Sequence, residues 1–430
     1  MSFARYKESI DTTQQYSGKV ITLYPTEEQK KYLDRCIELH RFVYNWTIEQ
    51  YEEHYNFCKE NNLEVAVLNQ SELQKRLSKL RNENEWLKDV PLHTLRNGMI
   101  DAINAYDNFF KNPKCFKHPK FKTKKKSKKS FAPRIDNSFY FEDNLIHIEG
   151  FSKNEFLKSK FKSGYHKSDN KKFINVRITK GADDQYRLSF SVLTNKPCYD
   201  SLDISDNDNL IYTPKYNRAI GIDLNVKSLI VTSYNEGEIY KAPNIKSKVR
   251  RIKRLQRKCN KDRIRYKQNM TKEQREIYNS GLLSLSEIES KNGRKRRIKL
   301  AKLHGSVTNT CETYIHTTIK NIVTRFPEAI VMEDLNVKEM RSNHFVASAM
   351  GVYTPFGKIR EIAQQKCDSY NVPFLLAPRD YPSSQLCSKC GSIKKIGSQK
   401  TYICPVCGNR MDRDINASFN LENYYYAIAN

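Results

Sequence analysis

The chain has 430 residues, 38% of them hydrophobic, and its 75 Lys and Arg outnumber 48 Asp and Glu for a formal charge of +27. That apolar fraction fills two or three cores, while no run reaches the roughly 20 apolar residues of a spanning helix, and the N-terminal MSFARYKESIDTTQQYSG lacks the apolar centre of a signal peptide, so a cytoplasmic, nucleoid-associated protein is expected. A charge this far above the needs of solubility implies a polyanionic partner, nucleic acid ahead of an anionic membrane, with affinity that falls steeply as salt rises.

In chain order, Lys19–Tyr24 (KVITLY) reads as a strand and Pro25-Thr26-Glu27-Glu28 as a helix start. From Glu27 to about Phe110 apolar residues recur at three- and four-residue spacing, as in Leu33, Ile37, Phe42, Trp46 and then Leu73, Leu77, Leu80, which predicts a helical bundle. Lys111–Arg134 holds eleven Lys or Arg and no acid, with Phe116, Phe121 and Phe131 among them. A solvated linker is one reading of that run. Nucleic-acid contact is the favoured one, because rings stack on bases while lysines hold phosphates. Short β-rich runs at Asn144–Ile148, Phe173–Thr179 and Tyr186–Thr194 predict a small antiparallel barrel or sheet.

A second architecture starts near Arg218, where AIGIDLNVKSLIVTS and EGEIYKAP read as three strands. Basic helices follow, with twelve Lys or Arg and the single acid Asp262 between Lys246 and Lys267, and a further basic run over Lys291–Lys302. Helical periodicity continues through Leu303–Phe326, then a strand at Ala329–Met332, a helix at Pro355–Tyr370, a strand at Val372–Ala377 and a terminal helix at Asp414–Tyr426. The fold class is multidomain α+β.

Three acids stand at element ends. Asp223 follows the apolar run Ala219–Ile222, Glu333 follows Ile330–Met332, and Asp414 opens the last helix. A carboxylate ending an apolar strand is costly to bury without a partner or a metal, and hydrolysis of a phosphodiester by two metal ions needs two or three converging carboxylates, with oxygen ligands suited to Mg²⁺. Capping or ion-pair roles are the structural alternative for each acid taken singly. Asp334 and Asp412 compete for the same roles; strand alternation sends Asp334 to the face opposite Glu333, and Asp412 reads as a helix cap or an ion-pair partner of Arg413.

Seven of the eleven cysteines are scattered, as expected of thiols in a reducing compartment. The other four form Cys387-Ser-Lys-Cys390 and Cys404-Pro-Val-Cys407, thirteen residues apart and each followed by glycine. Four thiolates at this spacing close a tetrahedral Zn²⁺ shell with no open position, hence a structural ion that orders the hairpin around Lys394, Lys395 and Lys400 for nucleic-acid contact. Redox pairs or disulfides are the alternative.

With these motifs in hand, the chain resembles the TnpB family of transposon-associated nucleases, relatives of miniature type V CRISPR effectors. The resemblance is carried by LYPTEEQKKYLDRCIELHRFVYNW, ENEWLKDVPLHTLRNGMIDAINAYDNFFK, HPKFKTKKKSKKSF, GIDLNVKSLIVTS, KLHGSVTNT, VMEDLNVKEM, RDYPSSQLCSKCG and DRDINASFNL in this order. It implies a RuvC-like nuclease of RNase H fold over 216–383 and 411–430, with catalytic Asp223, Glu333 and Asp414 binding Mg²⁺, and a zinc-ribbon target-binding module over 384–410 with Zn²⁺ on Cys387, Cys390, Cys404 and Cys407. It also implies a wedge-type β-barrel over 1–24 and 111–215, split by a helical recognition domain over 25–110. The implied partners are a guide RNA and target double-stranded DNA recognised through a short flanking motif, in a monomer or, as in some miniature effectors, a dimer. The family often has an Asn-Gln-Arg-x-Asp run where this chain has Asn309-Thr-Cys-Glu-Thr, and the leader before Lys19 has no counterpart. A nuclease-silent guided repressor, a CRISPR-associated effector and a direct transposase are the competing functions; the first loses acidic residues that are kept here, and the last would need a tyrosine nucleophile that no motif marks.

Overall fold

The computed structural model describes residues 14–63, 68–124, 127–135, 138–161, 173–196, 202–204, 210–225, 230–335, 356–395, 397 and 399–429. Most of the leader, Cys198, Pro355 and the C-terminal half of VMEDLNVKEM therefore lie outside the described residues. The chain divides into two compact units, one of 16–194 with 253–302 and the other of 1–15, 195–252 and 303–430.

In the first unit, β1 (Gln14–Tyr24) leads into α1 (Glu27–Glu60). Thr26 caps that helix by a capping box with Gln29, which satisfies two of the donors a helix start leaves open. The helices α2 (Gln70–Glu83) and α3 (Leu92–Lys111) complete the expected bundle. A Cβ at Gly98 of α3 would lie 2.6 Å from the backbone oxygen of His40, so the missing side chain lets α3 lie directly on α1. The β-rich region forms a seven-stranded sheet from β1, β2 (Ser130–Phe131), β3 (Tyr140–Glu142), β4 (Leu145–His147), β5 (Leu157–Ser159), β6 (Phe173–Lys180) and β7 (Tyr186–Asn195), in the order β2-β6-β7-β1-β5-β4-β3. Bundle and sheet share one apolar core, in which Leu33, Val43 and Leu95 are buried with Phe139, Ile178 and Leu188. Phe131 belongs to this core at 1% exposure, a correction to its reading as a nucleic-acid ring.

The second unit has the small hairpin β8 (Leu202–Ile204) and β9 (Leu210–Tyr212), then β10 (Ile220–Asp223), β11 (Ile230–Thr232) and β12 (Glu238–Tyr240). Helix α4 (Lys246–Gln268) starts in this unit, but from 253 it belongs to the first, as do all of α5 (Lys272–Asn279) and the start of α6 (Lys291–Val323) up to 302, α6 being a single helix where the sequence showed a basic run and then a periodic one. After β13 (Ile330–Glu333) come α7 (Phe356–Tyr370), β14 (Phe374–Ala377), the hairpin β15 (Thr401–Ile403) and β16 (Arg410–Asp412), and α8 (Arg413–Ala429). Five strands make a mixed sheet in the order β12-β11-β10-β13-β14: β10 pairs antiparallel with β11 and parallel with β13. Among the described residues no helix is long and apolar enough to cross a membrane.

Candidate active site and metal centre

Sheet register brings the first two acids together. Ile220, Gly221 and Ile222 of β10 pair with Ile330, Val331 and Met332 of β13, so Asp223 and Glu333 end neighbouring parallel strands at the same level, one strand spacing of about 4.8 Å apart. Alternation then chooses their face. Ile220, Ile222, Ile330 and Met332 are buried with Ile315 and Ile319 of α6 and Ile359 of α7, whereas Val331 is buried with Leu421 of α8. Gly221, Asp223, Val331 and Glu333 thus share the side that α8 covers.

Gly221 explains how α8 comes close enough. A Cβ there would stand 2.0 Å from the Ser418 carbonyl oxygen and 2.7 Å from the Glu422 amide nitrogen, so the helix backbone rests on the strand only because that position has no side chain. Seated in this way, α8 points its first turn at the ends of β10 and β13, and Asp414 lies in that turn. Asp414 Oδ2 accepts a hydrogen bond from Asn225 Nδ2 at 2.8 Å, and its Oδ1 accepts from Arg413 Nε and Nη2 at 3.2 and 3.1 Å. The competing acids are satisfied elsewhere. Asp412 Oδ1 caps α8 by accepting from the backbone N–H groups of Asp414 (2.9 Å) and Ile415 (3.3 Å). Asp334 accepts from Arg360 and, at 2.7 Å, from Arg379 Nε.

Asp223, Glu333 and Asp414 line a single cleft of about 430 Å³ together with Asn225, Arg379 and Arg413. Burial, reinforced by the charges of Asp414 and Glu333, pushes the Asp223 carboxyl up from 3.8 to about 7, against the opposing pull of Arg413. Burial alone raises Glu333. Asp223, raised by burial and by its two acidic neighbours, and Glu333, raised by burial, offer with Asp414 the oxygen donors that a hard divalent cation prefers.

The second centre has a different donor set. Among the described residues, Cys387, Cys390, Cys404 and Cys407 are the group of three or more ligand side chains whose donor atoms all lie within 4.8 Å of one another. Cys387 Sγ lies 3.6 Å from Cys407 Sγ, and Cys390 Sγ 3.6 Å from Cys404 Sγ, close to the roughly 3.8 Å edge of a tetrahedron with 2.3 Å metal–sulfur bonds. Gly391 and Gly408 take φ of +71° and +72°, the left-handed turn that closes each knuckle. The backbone N–H groups of Cys407 and Val406 point at Cys404 Sγ (3.5 and 3.4 Å) and, with the Ser392 hydroxyl, hold its thiol down to about 5. The set fits a closed structural ion.

A polar stripe on α8 joins the two centres, and sequence reading missed it. Asn416 Nδ2 donates to the Leu386 carbonyl at 2.6 Å and its Oδ1 accepts from Ser388 N–H at 3.0 Å; Asn420 Nδ2 donates to the carbonyls of Ser383 (2.7 Å) and Leu386 (2.8 Å); Asn423 Nδ2 donates to Ser388 O at 3.0 Å. Asn416 and Asn420 are fully buried. Their spacing of four and three residues, polar where an amphipathic helix should be apolar, is the signal that could have found them.

Three family models match separate stretches of the chain. A helix-turn-helix domain model of the OrfB/IS605 group covers 18–59, the model described as "Probable transposase" covers 198–344, and a Cas12f1-like TNB domain covers 356–421. A "Putative RNA-guided DNA endonuclease" of Streptomyces pristinaespiralis is 26% identical over 400 residues, 93% of this chain and 86% of that one. A TnpB-like protein of Acanthamoeba polyphaga mimivirus is 23% identical over 432 residues, 94% and 72% of the two chains. The chain is similar to TnpB-like proteins along nearly its whole length. The name of its first matched region would put a helix-turn-helix over 18–59, yet this chain has there the end of a strand and one 34-residue helix. InsQ of Escherichia coli K12, named in the same words as the Streptomyces protein, is 24% identical over 361 residues, 79% of this chain and 76% of its own. Among solved structures, the protein in the cryo-EM complex of Cas12f1 with sgRNA and target DNA superposes with a TM-score of 0.54 at 14% identity, covering 93% of this chain and 83% of that one. That likeness is one of fold.

Proposed function

We propose that this chain is an RNA-guided DNA endonuclease that binds a transposon-encoded guide RNA, reads a short motif beside its target, and hydrolyses DNA in the cleft of Asp223, Glu333 and Asp414. The observation that carries the proposal is the meeting of these three acids on one face of the mixed sheet in a chain similar to TnpB-like proteins. The strand order, with the first strand central and the last two parallel to it, supports an RNase H-like domain of the RuvC kind over 216–383 and 411–430, with the zinc ribbon of 384–410 inserted before its last helix. The sheet and bundle of the other unit support a wedge-type barrel of 1–24 and 111–215 that carries the helical recognition domain of 25–110.

Two Mg²⁺ ions, when bound, supply an activated water and stabilise the charge on the leaving oxygen. Asp223 and Glu333 are the ligands that rigid strand ends hold in place. Asn225 and Arg413 fix the third, Asp414, by one bond to Oδ2 and two to Oδ1. Arg379, tied to Asp334 and 61% exposed along its side chain, stands at the cleft as a partner for DNA phosphate. Zn²⁺ on the four cysteines has no open coordination position and takes no part in the chemistry. Sequence is read by pairing between guide and target, and the protein monomer recognises duplex shape and the flanking motif. With its guide and Mg²⁺, the purified chain should cut a matched target, and Asp223→Ala should abolish cutting while target binding persists. Cleavage by that variant would sink the assignment.

A further inference from the structure

The aromatic rings among the lysines of 111–134 are divided by the fold. Phe131 is buried, whereas Phe116 and Phe121 remain 49% and 52% exposed. At Phe121 the usual order of burial is reversed, because the lysine after it is the residue tied into the protein. The Lys122 N–H donates to Asn45 Oδ1 at 2.7 Å, its carbonyl accepts from Asn45 Nδ2 at 3.0 Å and Arg41 Nη1 at 3.3 Å, and its ammonium sits 3.4 Å from the centroid of the Tyr44 ring. Burial pushes that ammonium down to about 8. Folding alone favours the opposite arrangement, with the ring inside and the lysine in water.

The exposed ring has company. Phe121, with Arg41, Phe42, Trp46 and Glu49 of α1 and Leu282 of the turn after α5, lines a cavity of about 300 Å³. The α1 residues share one helix face, and Leu282 is itself 58% exposed. Gly281 turns the chain there at φ +83°, and a Cβ on it would lie 3.1 Å from Thr123 Cγ2, so the turn abuts the basic segment directly. The walls offer flat rings and an aliphatic side for a planar guest, and Glu49 offers a carboxylate that can accept from an exocyclic amino group. Lys114, Lys117 and Lys120 run exposed just before Phe121.

We propose that this cavity receives one unpaired nucleobase, stacked on Phe121, of a strand whose phosphates follow Lys114, Lys117 and Lys120. The inference rests on the RNA-guided reading, and the strand is either guide RNA or a displaced DNA strand, since both offer the same stacked base and backbone. The test uses the full chain with single-stranded RNA and DNA oligonucleotides of equal length over a salt series. A stacking partner contributes about 1–3 kcal/mol per base, so Phe121→Ala should weaken binding roughly 5- to 150-fold with the salt slope unchanged, and Phe121→Trp should restore it. Lys117→Ala should instead lower the slope by about 0.7. Loss confined to the RNA arm assigns guide RNA; loss confined to the DNA arm assigns the displaced strand. Unchanged affinity of Phe121→Ala in both arms, or a slope that falls as it does for the lysine variant, overturns the proposal. A wild-type chain that binds neither oligonucleotide and cuts no guided target would count against the function itself.

Discussion

Asp223 shows how a side chain proposed as a metal ligand bears on stability. Its carboxyl is raised from 3.8 to about 7, first by burial and then by Asp414 and Glu333. A raised carboxyl binds its proton more tightly in the folded state, so between about pH 4 and 7 the folded chain holds more protons than the unfolded one and stability falls as pH rises. Three units correspond to about 4 kcal/mol at most. In the absence of divalent cations Asp223→Asn should therefore melt above the wild type at pH 8 and level with it at pH 4, in thermal scans, and Mg²⁺ should raise the wild-type melting temperature more at pH 8 than at pH 5. Equal melting of the two chains at pH 8 would contradict this. Gly221 makes the complementary case. With a Cβ only 2.0 Å from the Ser418 carbonyl oxygen, Gly221→Ala must push α8 off its strand, at a cost of about 3 kcal/mol, and move Asp414 with it. A lower melting temperature together with reduced cleavage is expected; unaltered values of both would show that the helix can relax without consequence.

At the scale of elements, long patterned segments were legible and short ones were not. The helices from Glu27 to Lys111, the three strands after Arg218 and the last helix follow from periodicity, because an apolar face repeated over many residues has one solution. The strands Ser130–Phe131 and Leu157–Ser159 are two and three residues long, too short to show alternation, and they exist because neighbouring strands offer ladder partners. Three acids at element ends could be seen in the sequence; that Asp223 and Glu333 stand side by side depends on register between strands more than a hundred residues apart, which no local pattern carries. The same holds for the asparagine stripe of α8, whose partners are backbone carbonyls of a distant loop. Asn416→Ala would leave the Leu386 carbonyl and the Ser388 N–H without this partner, at about 1–3 kcal/mol, and should loosen the ribbon's attachment, read as faster amide exchange at 383–388.

For the whole molecule the dominant quantity is charge. Within 253–302 the one acid that interrupts the basic face of α4, Asp262, is taken up by Arg296 through bonds of 2.7 and 2.9 Å, so the surface stays positive. Guide-RNA affinity should decline linearly in log–log plots against salt, and replacing Arg254, Arg257 and Lys258 by alanine should lower the slope by about 0.7 to 0.9 for each phosphate no longer neutralised. A slope unaffected by the triple replacement would place the RNA elsewhere.

The ribbon's second strand ends at Asp412 and the helix bearing Asp414 begins at the next residue, with Arg413 N–H bonded to the Lys400 carbonyl across the hairpin. The hairpin that follows the cysteine knuckles and the helix bearing Asp414 are thus joined without an intervening loop. On the proposed function, stripping the metal from the four cysteines with a chelator should free the start of the helix that carries Asp414, so loss of the ion and loss of cleavage should be seen together.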